Sequence, residues 1–210
     1  MAKNKTSRQW VHDHINDPYV KQAQAQGYRS RAAFKLLQID ERDRLLGPGK
    51  VVVDLGSTPG GWSQVAAKKT LPGGRVIALD LLPMEPVTGV HFIQGDFRED
   101  DTLGQLVSAL DGRPVGLVLS DMAPNLTGIA LTDQARSIHL LELALEFSRE
   151  YLKSGGDMLV KVFQGTGFDA LRRDMEQLFD TVSVRKPDSS RDRSAEVYLL
   201  CRGRRGDPSA

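Results

Sequence analysis

The chain has 210 residues, 40% of them hydrophobic, a formal net charge of +1 and a single cysteine. That is enough apolar material for the core of one domain. A lone Cys201 excludes an internal disulfide framework or a cysteine-rich zinc site, and no apolar run reaches the length of a membrane span, so a cytoplasmic protein away from membranes is expected.

The net charge conceals an uneven distribution. Residues 1–36 hold seven Lys/Arg against two acids and residues 185–210 seven against four, while the stretch between holds 14 against 21. Basic ends on an acidic body suit an anionic partner gripped at its flanks, since phosphate contacts supply much of nucleic-acid affinity. Charged termini that merely keep a chain soluble have the same composition.

Residues 7–46 read as a basic helical preface, with Trp10, Tyr19, Phe34, Leu36, Leu37 and Ile39 as packing residues and Arg31 and Lys35 on one helix face. From residue 50 onward, short β-branched runs alternate with helical patterns, the mark of a doubly wound α/β sheet. Strands are expected at Val51–Leu55, Val76–Asp80, His91–Gln94, Val115–Ser120, Met158–Val162, Thr181–Val184 and Val197–Cys201. Helices are expected at Gln64–Lys69, Thr102–Ala109, Gln134–Leu152 and Phe168–Leu178. Gly155-Gly156 punctuates the entry to the fifth strand. The polar stretch 185–196 is too short in helical character for a crossover, so the last strand should run antiparallel in an otherwise parallel Rossmann-like sheet of seven strands. Residues 202–210 read as a disordered tail, and 1–210 as a single domain whose α/β core spans 50–201.

The stretch VVVDLGSTPGGW, residues 51–62, leads a strand through a glycine turn into a helix, the place where a wound sheet holds its nucleotide. Gly56, Gly60 and Gly61 fit neither the dinucleotide nor the phosphate-loop spacing, which disfavours a pyrophosphate ligand. Asp80 closes the next strand, where a ribose diol would be held, and Asp96 follows the third, in QGDF beside Phe97, suitably placed for an adenine amino group. Together with Asp54 these acids at successive strand ends suit a cofactor without phosphate and with a positive centre, such as S-adenosylmethionine. Trp62 is either a core anchor or a wall of that pocket. The four histidines have no metal-ligand spacing, so no metal is assigned.

A second group of chemically capable residues gathers at the same rim: Asp121 in VLSDMAPN, Lys161 in the apolar strand DMLVKVFQG, Glu196 at the mouth of VYLLC, and Lys35 on the preface. Spacing alone leaves open that Lys35–Glu196 and Lys161–Asp121 are ordinary salt bridges and that Lys161 is an edge-strand lysine reaching for water. The motifs DLGSTPGGW, DLLPM, QGDF, SDMAPN, VKVFQG and VRKPDSSRDRSAEVY, with the preface YVKQAQAQGYRSRAAFKL, resemble the FtsJ/RrmJ family of ribose 2′-O-methyltransferases over roughly residues 8–203. They come closest to its bacterial branch acting on a uridine of 23S RNA in the large ribosomal subunit. Ser57 and Thr58 stand where the family usually has alanines.

The resemblance implies a catalytic tetrad of Lys35, Asp121, Lys161 and Glu196, and a cofactor set of Gly56, Gly60, Gly61, Trp62, Asp80, Asp96, Phe97 and Asp121. A ribose hydroxyl attacks a methyl group only after losing its proton, so the enzyme needs a base and an in-line alignment. A lysine serves as base when it spends time neutral, which burial and a second ammonium favour and carboxylates oppose. Lys161 is the expected base and Lys35 the group that positions the hydroxyl, although the two roles can be exchanged. RNA should cross the rim between Arg29 and Arg31 on one side and Arg185, Lys186, Arg191 and Arg193 on the other. A monomer acting on RNA within the assembled large subunit is expected. Other RNA targets, transfer RNA among them, and a catalytically silent RNA-binding assembly factor remain alternatives. A nicotinamide dehydrogenase is disfavoured by the missing G-x-G-x-x-G turn.

Overall fold

The computed structural model describes residues 15–123, 128, 130–165, 167–191 and 194–206. Trp10, His12, His14, Pro124 and Arg193 lie outside them. Seven strands form one sheet in the order β3-β2-β1-β4-β5-β7-β6: β1 Val51–Leu55, β2 Arg75–Asp80, β3 Val90–Gln94, β4 Val115–Ser120, β5 Leu152–Phe163, β6 Phe179–Arg185 and β7 Glu196–Arg204. Strands β1 to β5 pair in parallel, and β7 inserts antiparallel between β5 and β6. Lys161 therefore lies in an interior strand, hydrogen-bonded on both sides. The edge-strand reading of it fails.

Helices cover both faces. α1 (Pro18–Gln26) and α2 (Ala32–Asp43) form the preface; α3 (Gly61–Thr70), α4 (Asp100–Leu110), α5 (Ala130–Tyr151) and α6 (Phe168–Leu178) are the crossovers. The Asp17 side chain accepts the Tyr19 N–H to cap α1, Pro18 opens it, and Gly27 at φ 72° stops it, so the preface breaks into two helices. Ala33, Leu36 and Ile39 of α2 and Trp62, Val65 and Ala66 of α3 pack on one sheet face with Leu117, Leu119, Leu159 and Tyr198. The other face holds Val53, Ile77, Val118, Met158, Val160 and Val162 under α4, α5 and α6. Strand alternation thus sets Leu159 and Lys161 on the α2 face and Met158, Val160 and Val162 on the opposite one.

Two expectations are corrected. Strand β5 begins at Leu152, running back through Gly155-Gly156, and its pairing with β4 slips between Val115 and Leu117 to take up the extra residues. Strand β7 continues to Arg204, three residues into the stretch read as a disordered tail, because Phe179 and Thr181 of β6 extend its ladder. Cys201 is wholly buried in β7. Among the described residues no helix is long and apolar enough to cross a membrane.

Candidate active site

Parallel winding brings the carboxyl ends of β1, β2, β4 and β5 to one rim. At that rim Lys161, one pleat beyond Leu159, pairs in register with Tyr198 of β7, and Glu196 lies opposite Phe163. Residues two apart share a face, so Lys161, Tyr198 and Glu196 all project toward α2, which brings Lys35 to them.

The four charged side chains expected to act together do meet. Lys161 Nζ donates to the Asp121 carbonyl oxygen at 2.6 Å and lies 3.2 Å from Asp121 Oδ1. Lys35 Nζ lies 2.5 Å from Glu196 Oε1. The Lys161 side chain is only 8% exposed. These two ion pairs are joined by a residue that sequence reasoning missed: the Tyr198 hydroxyl donates to Asp121 Oδ1 at 2.9 Å and lies 3.3 Å from Glu196 Oε1. Tyr198 is fully buried, and burial, then the two neighbouring carboxylates, hold its pKa well above the ordinary phenol value. It stays protonated and acts as a donor. Burial works to raise the Glu196 pKa, but the charge and hydrogen bond of Lys35, the charge of Lys161 and a Ser190 hydrogen bond together outweigh it, so the net shift is a lowering.

The glycine turn sits beside this network. Gly56, at φ 72°, passes so close to Met122 that a Cβ would lie 2.3 Å from the methionine Cγ. Gly60, at φ 105°, would drive a Cβ to 2.9 Å from Met84 Sδ. Asp80 is fixed by two backbone donors, Thr58 N–H at 2.8 Å and Leu82 N–H at 2.9 Å. A carboxylate has further lone pairs, so Asp80 keeps accepting capacity. Asp96 is held by Arg98, whose Nε lies 2.9 Å from each carboxylate oxygen and whose side-chain hydrogen bonds, aided by its backbone N–H and its charge, keep the Asp96 pKa below the ordinary value against the opposing effect of burial. Phe97 turns its ring into the core, edge-on to Phe147. Trp62 resolves as a core anchor: it is 3% exposed, its indole N–H donates to the Ala32 carbonyl, and its ring lies 5.6 Å from that of Tyr198.

Three buried polar atoms around the turn have no hydrogen-bond partner among the described residues: Asp54 Oδ1, Ser57 Oγ and Ser30 Oγ. Burial pushes the Asp54 carboxyl up to about 7, with the Ser63 hydroxyl resisting and the charges of Asp121 and Asp80 assisting. The sign follows from its ordinary value of 3.8. Between about pH 4 and about pH 7 the folded chain keeps a proton that the unfolded chain releases, so this group removes up to about 1.4 kcal/mol of stability per pH unit as pH rises. Asp54→Asn abolishes that slope. Its stability relative to the native protein should therefore improve steadily from pH 4 to pH 7, read as urea midpoints of the two proteins; a constant difference would contradict the assignment.

The basic residues expected to face RNA divide. Arg29 donates to the Pro59 and Glu85 carbonyls through Nη1 and to the Pro86 carbonyl through Nη2. Arg185 makes a two-point contact with Asp43, at 2.7 and 2.8 Å. Both guanidinium groups fasten the preface or its neighbouring loops to the body. Arg31 binds Asp17 and the Ser189 carbonyl at the edge of a pocket of about 230 Å³ that also contains Lys35, Arg191 and Glu196. Lys186 donates to the Ser194 carbonyl, and Arg191 is half-exposed.

Comparison with known proteins agrees with this geometry. A ribosomal RNA large subunit methyltransferase E from Azoarcus sp. (strain BH72) is 64% identical over 95% of this chain and 98% of the relative. The protein of the same name from Dechloromonas aromatica is 61% identical over 96% and 98%. The crystal structure of a ribosomal RNA methyltransferase from Plasmodium falciparum superposes with a TM-score of 0.75 at 30% identity, covering 86% of this chain and all of that one. The profile described as FtsJ-like methyltransferase matches residues 28–204, which fits the sheet order, and the chain belongs to the FtsJ-like methyltransferase family.

Proposed function

We propose that the chain transfers the methyl group of S-adenosylmethionine to the ribose 2′-hydroxyl of a uridine in 23S RNA, acting as a cytoplasmic monomer on the large ribosomal subunit. The observation that carries this reading is the pair of ion pairs, Lys161–Asp121 and Lys35–Glu196, joined through Tyr198 at the rim beside the glycine turn. The relatives' names supply the ribosomal target.

The residues around the turn fit the proposed cofactor. Asp54 Oδ1 and Ser57 Oγ are buried acceptors without partners among the described residues, suited to an ammonium or a hydroxyl group, and Gly56 and Gly60 leave room where a Cβ would collide. Asp80 and Asp96 would hold the ribose and adenine ends, and Trp62 would contribute only the backbone of the first turn of α3. When bound, S-adenosylmethionine supplies a methyl group on a positive sulfonium.

The chain's own residues manage the proton. A neutral Lys161 amine has two hydrogens and one lone pair; the hydrogens satisfy the Asp121 carbonyl and carboxylate, leaving the lone pair to take the 2′-hydroxyl proton. Lys35, held by Glu196, presents positive charge to the oxygen as it becomes anionic. Tyr198 holds the Asp121 carboxylate with its one hydrogen, lies beside that of Glu196 and does not titrate near neutrality.

Incubation of the protein with labelled S-adenosylmethionine and large subunits lacking the modification should give about one methyl group per particle. Binding of particles with no incorporation would establish the catalytically silent assembly factor instead. Arg29 gives a second test, because its three carbonyl contacts join the preface to the loops on either side of the proposed cofactor. Arg29→Ala should weaken S-adenosylmethionine binding about tenfold while leaving RNA affinity unchanged, and Arg29→Lys should restore part of it. Normal cofactor affinity with weakened RNA binding would return Arg29 to the RNA surface.

A further inference from the structure

The end of the sheet opposite the reacting rim carries a cleft of about 480 Å³ with four cations in its lining, Arg44, Lys50, Arg113 and Lys153, and no carboxylate. It lies where β1 and β4 begin and beside Lys153 of β5, so the five residues of β1 put it roughly 17 Å from the rim.

Two of the cations shape the cleft and two are unused. Arg113 donates to the Gly73 carbonyl at 2.6 Å and weakly to that of Gly49, fixing the turns that form the wall. Lys50 donates to the Leu45 carbonyl at 2.6 Å, lies 3.8 Å from Asp157 and also feels the charge of Asp40. Arg44 and Lys153 are exposed, and their side chains have no hydrogen bond or ion pair among the described residues. This occurs in the stretch of chain where acids outnumber Lys/Arg 21 to 14.

Helix α2 connects the cleft to the reaction centre. Arg31 and Lys35 border the pocket at its beginning, Arg42 and Lys186 border a second pocket along its length, and Arg44 follows its last residue into the cleft. Twelve helical residues cover about 18 Å. Cations spread along such a path match a polymer of phosphates better than one small anion, which would need converging donors in an enclosed site.

We propose that the RNA substrate continues from the target ribose along α2 and that the cleft holds phosphates of a segment some 18 Å away. The proposal rests on the ribosomal RNA reading above. It gives the enzyme a reason to prefer a large folded RNA over a fragment carrying only the target nucleotide.

The test is the double variant Arg44→Glu/Lys153→Glu, with Arg44→Gln/Lys153→Gln as the milder form. Both positions are exposed, and neither touches the reaction centre or the glycine turn. The charge-reversed enzyme should show KM for large subunits raised at least about tenfold and a salt dependence shallower by about two in log–log slope, with the neutral variant intermediate. S-adenosylmethionine affinity and turnover on a short RNA spanning only the target loop should be unchanged. An unaltered KM for particles, or an equal loss on the short RNA, would overturn the proposal. A loss seen with particles but not in binding deproteinised large-subunit RNA would assign the cleft to a ribosomal protein and overturn it too. Wild-type protein that methylates no particle overturns the functional reading along with the cleft, whereas active wild type with unaffected variants overturns the cleft alone.

Discussion

Lys161→Ala should lower methyl transfer on the order of a thousandfold while leaving S-adenosylmethionine binding intact. The size follows from what the amine does: it supplies the lone pair that takes the proton of the incoming hydroxyl. Binding should survive because the Asp121 carboxylate keeps the Tyr198 hydroxyl as donor, and the turn, Asp80 and Asp96 have their own partners. Lys161→Met retains the methylene stem in its 8%-exposed slot, and should reproduce the loss without disturbing the fold. Lys35→Ala should cost less, since it removes a positioning charge and leaves the base. Equal losses at the two lysines would mean that the roles are shared or exchanged, and near-normal turnover of Lys161→Ala would end the assignment. Calorimetric cofactor binding beside single-turnover methylation separates these outcomes.

Gly56→Ala should be the most damaging small change in the cofactor turn. A Cβ there would lie 2.3 Å from Met122 Cγ, and alanine at φ 72° adds strain. Left-handed backbone costs about 1–2 kcal/mol for an ordinary residue, and a forced shift in a packed site about 1–3 kcal/mol more. The damage does not stay local, because Met122 follows Asp121 directly and a displaced Met122 moves the carboxylate that Lys161 and Tyr198 share. Urea unfolding should show the stability loss, and turnover should fall together with cofactor affinity. Adding Met122→Ala removes the closest atom and should recover part of the stability, leaving the φ strain. A Gly56→Ala protein with native midpoint and turnover would show that the turn has slack that its geometry denies.

Much of the fold was legible because parallel strands buried on both faces leave a strong trace. Val51–Leu55 and Val115–Ser120 are near-continuous apolar runs and match their strands residue for residue. The extent of β5 and β7 was not legible. Gly155-Gly156 reads as a break in any local pattern, yet a slip in register carries the strand through it, and Arg202 to Arg204 look like tail until β6 is known to pair with them.

For the site, residue type and motif sufficed to bring Lys35, Asp121, Lys161 and Glu196 together as candidates, since each sits near the end of a recognisable element. Tyr198 escaped because its role depends on cross-strand register: only the pairing of Lys161 with Tyr198 puts the phenol between two carboxylates. Its position two residues after Glu196 was the available signal. Arg29 and Arg185 looked like surface cations for a related reason. Their acceptors, backbone carbonyls at 59, 85 and 86 and the carboxylate of Asp43, are 30 to 142 residues away and invisible to composition. Asp54 posed the same difficulty, its side-chain donor among the described residues being Ser63 across the turn.

The joined ion pairs should activate a ribose hydroxyl of large-subunit RNA. Nucleoside mass spectrometry of large-subunit RNA after reaction with the protein and isotopically labelled S-adenosylmethionine tests it most directly. Label should appear in a single 2′-O-methyluridine and be absent when Lys161→Met replaces the native enzyme. Label on a base, or on the ribose in equal amount with Lys161→Met, would contradict it.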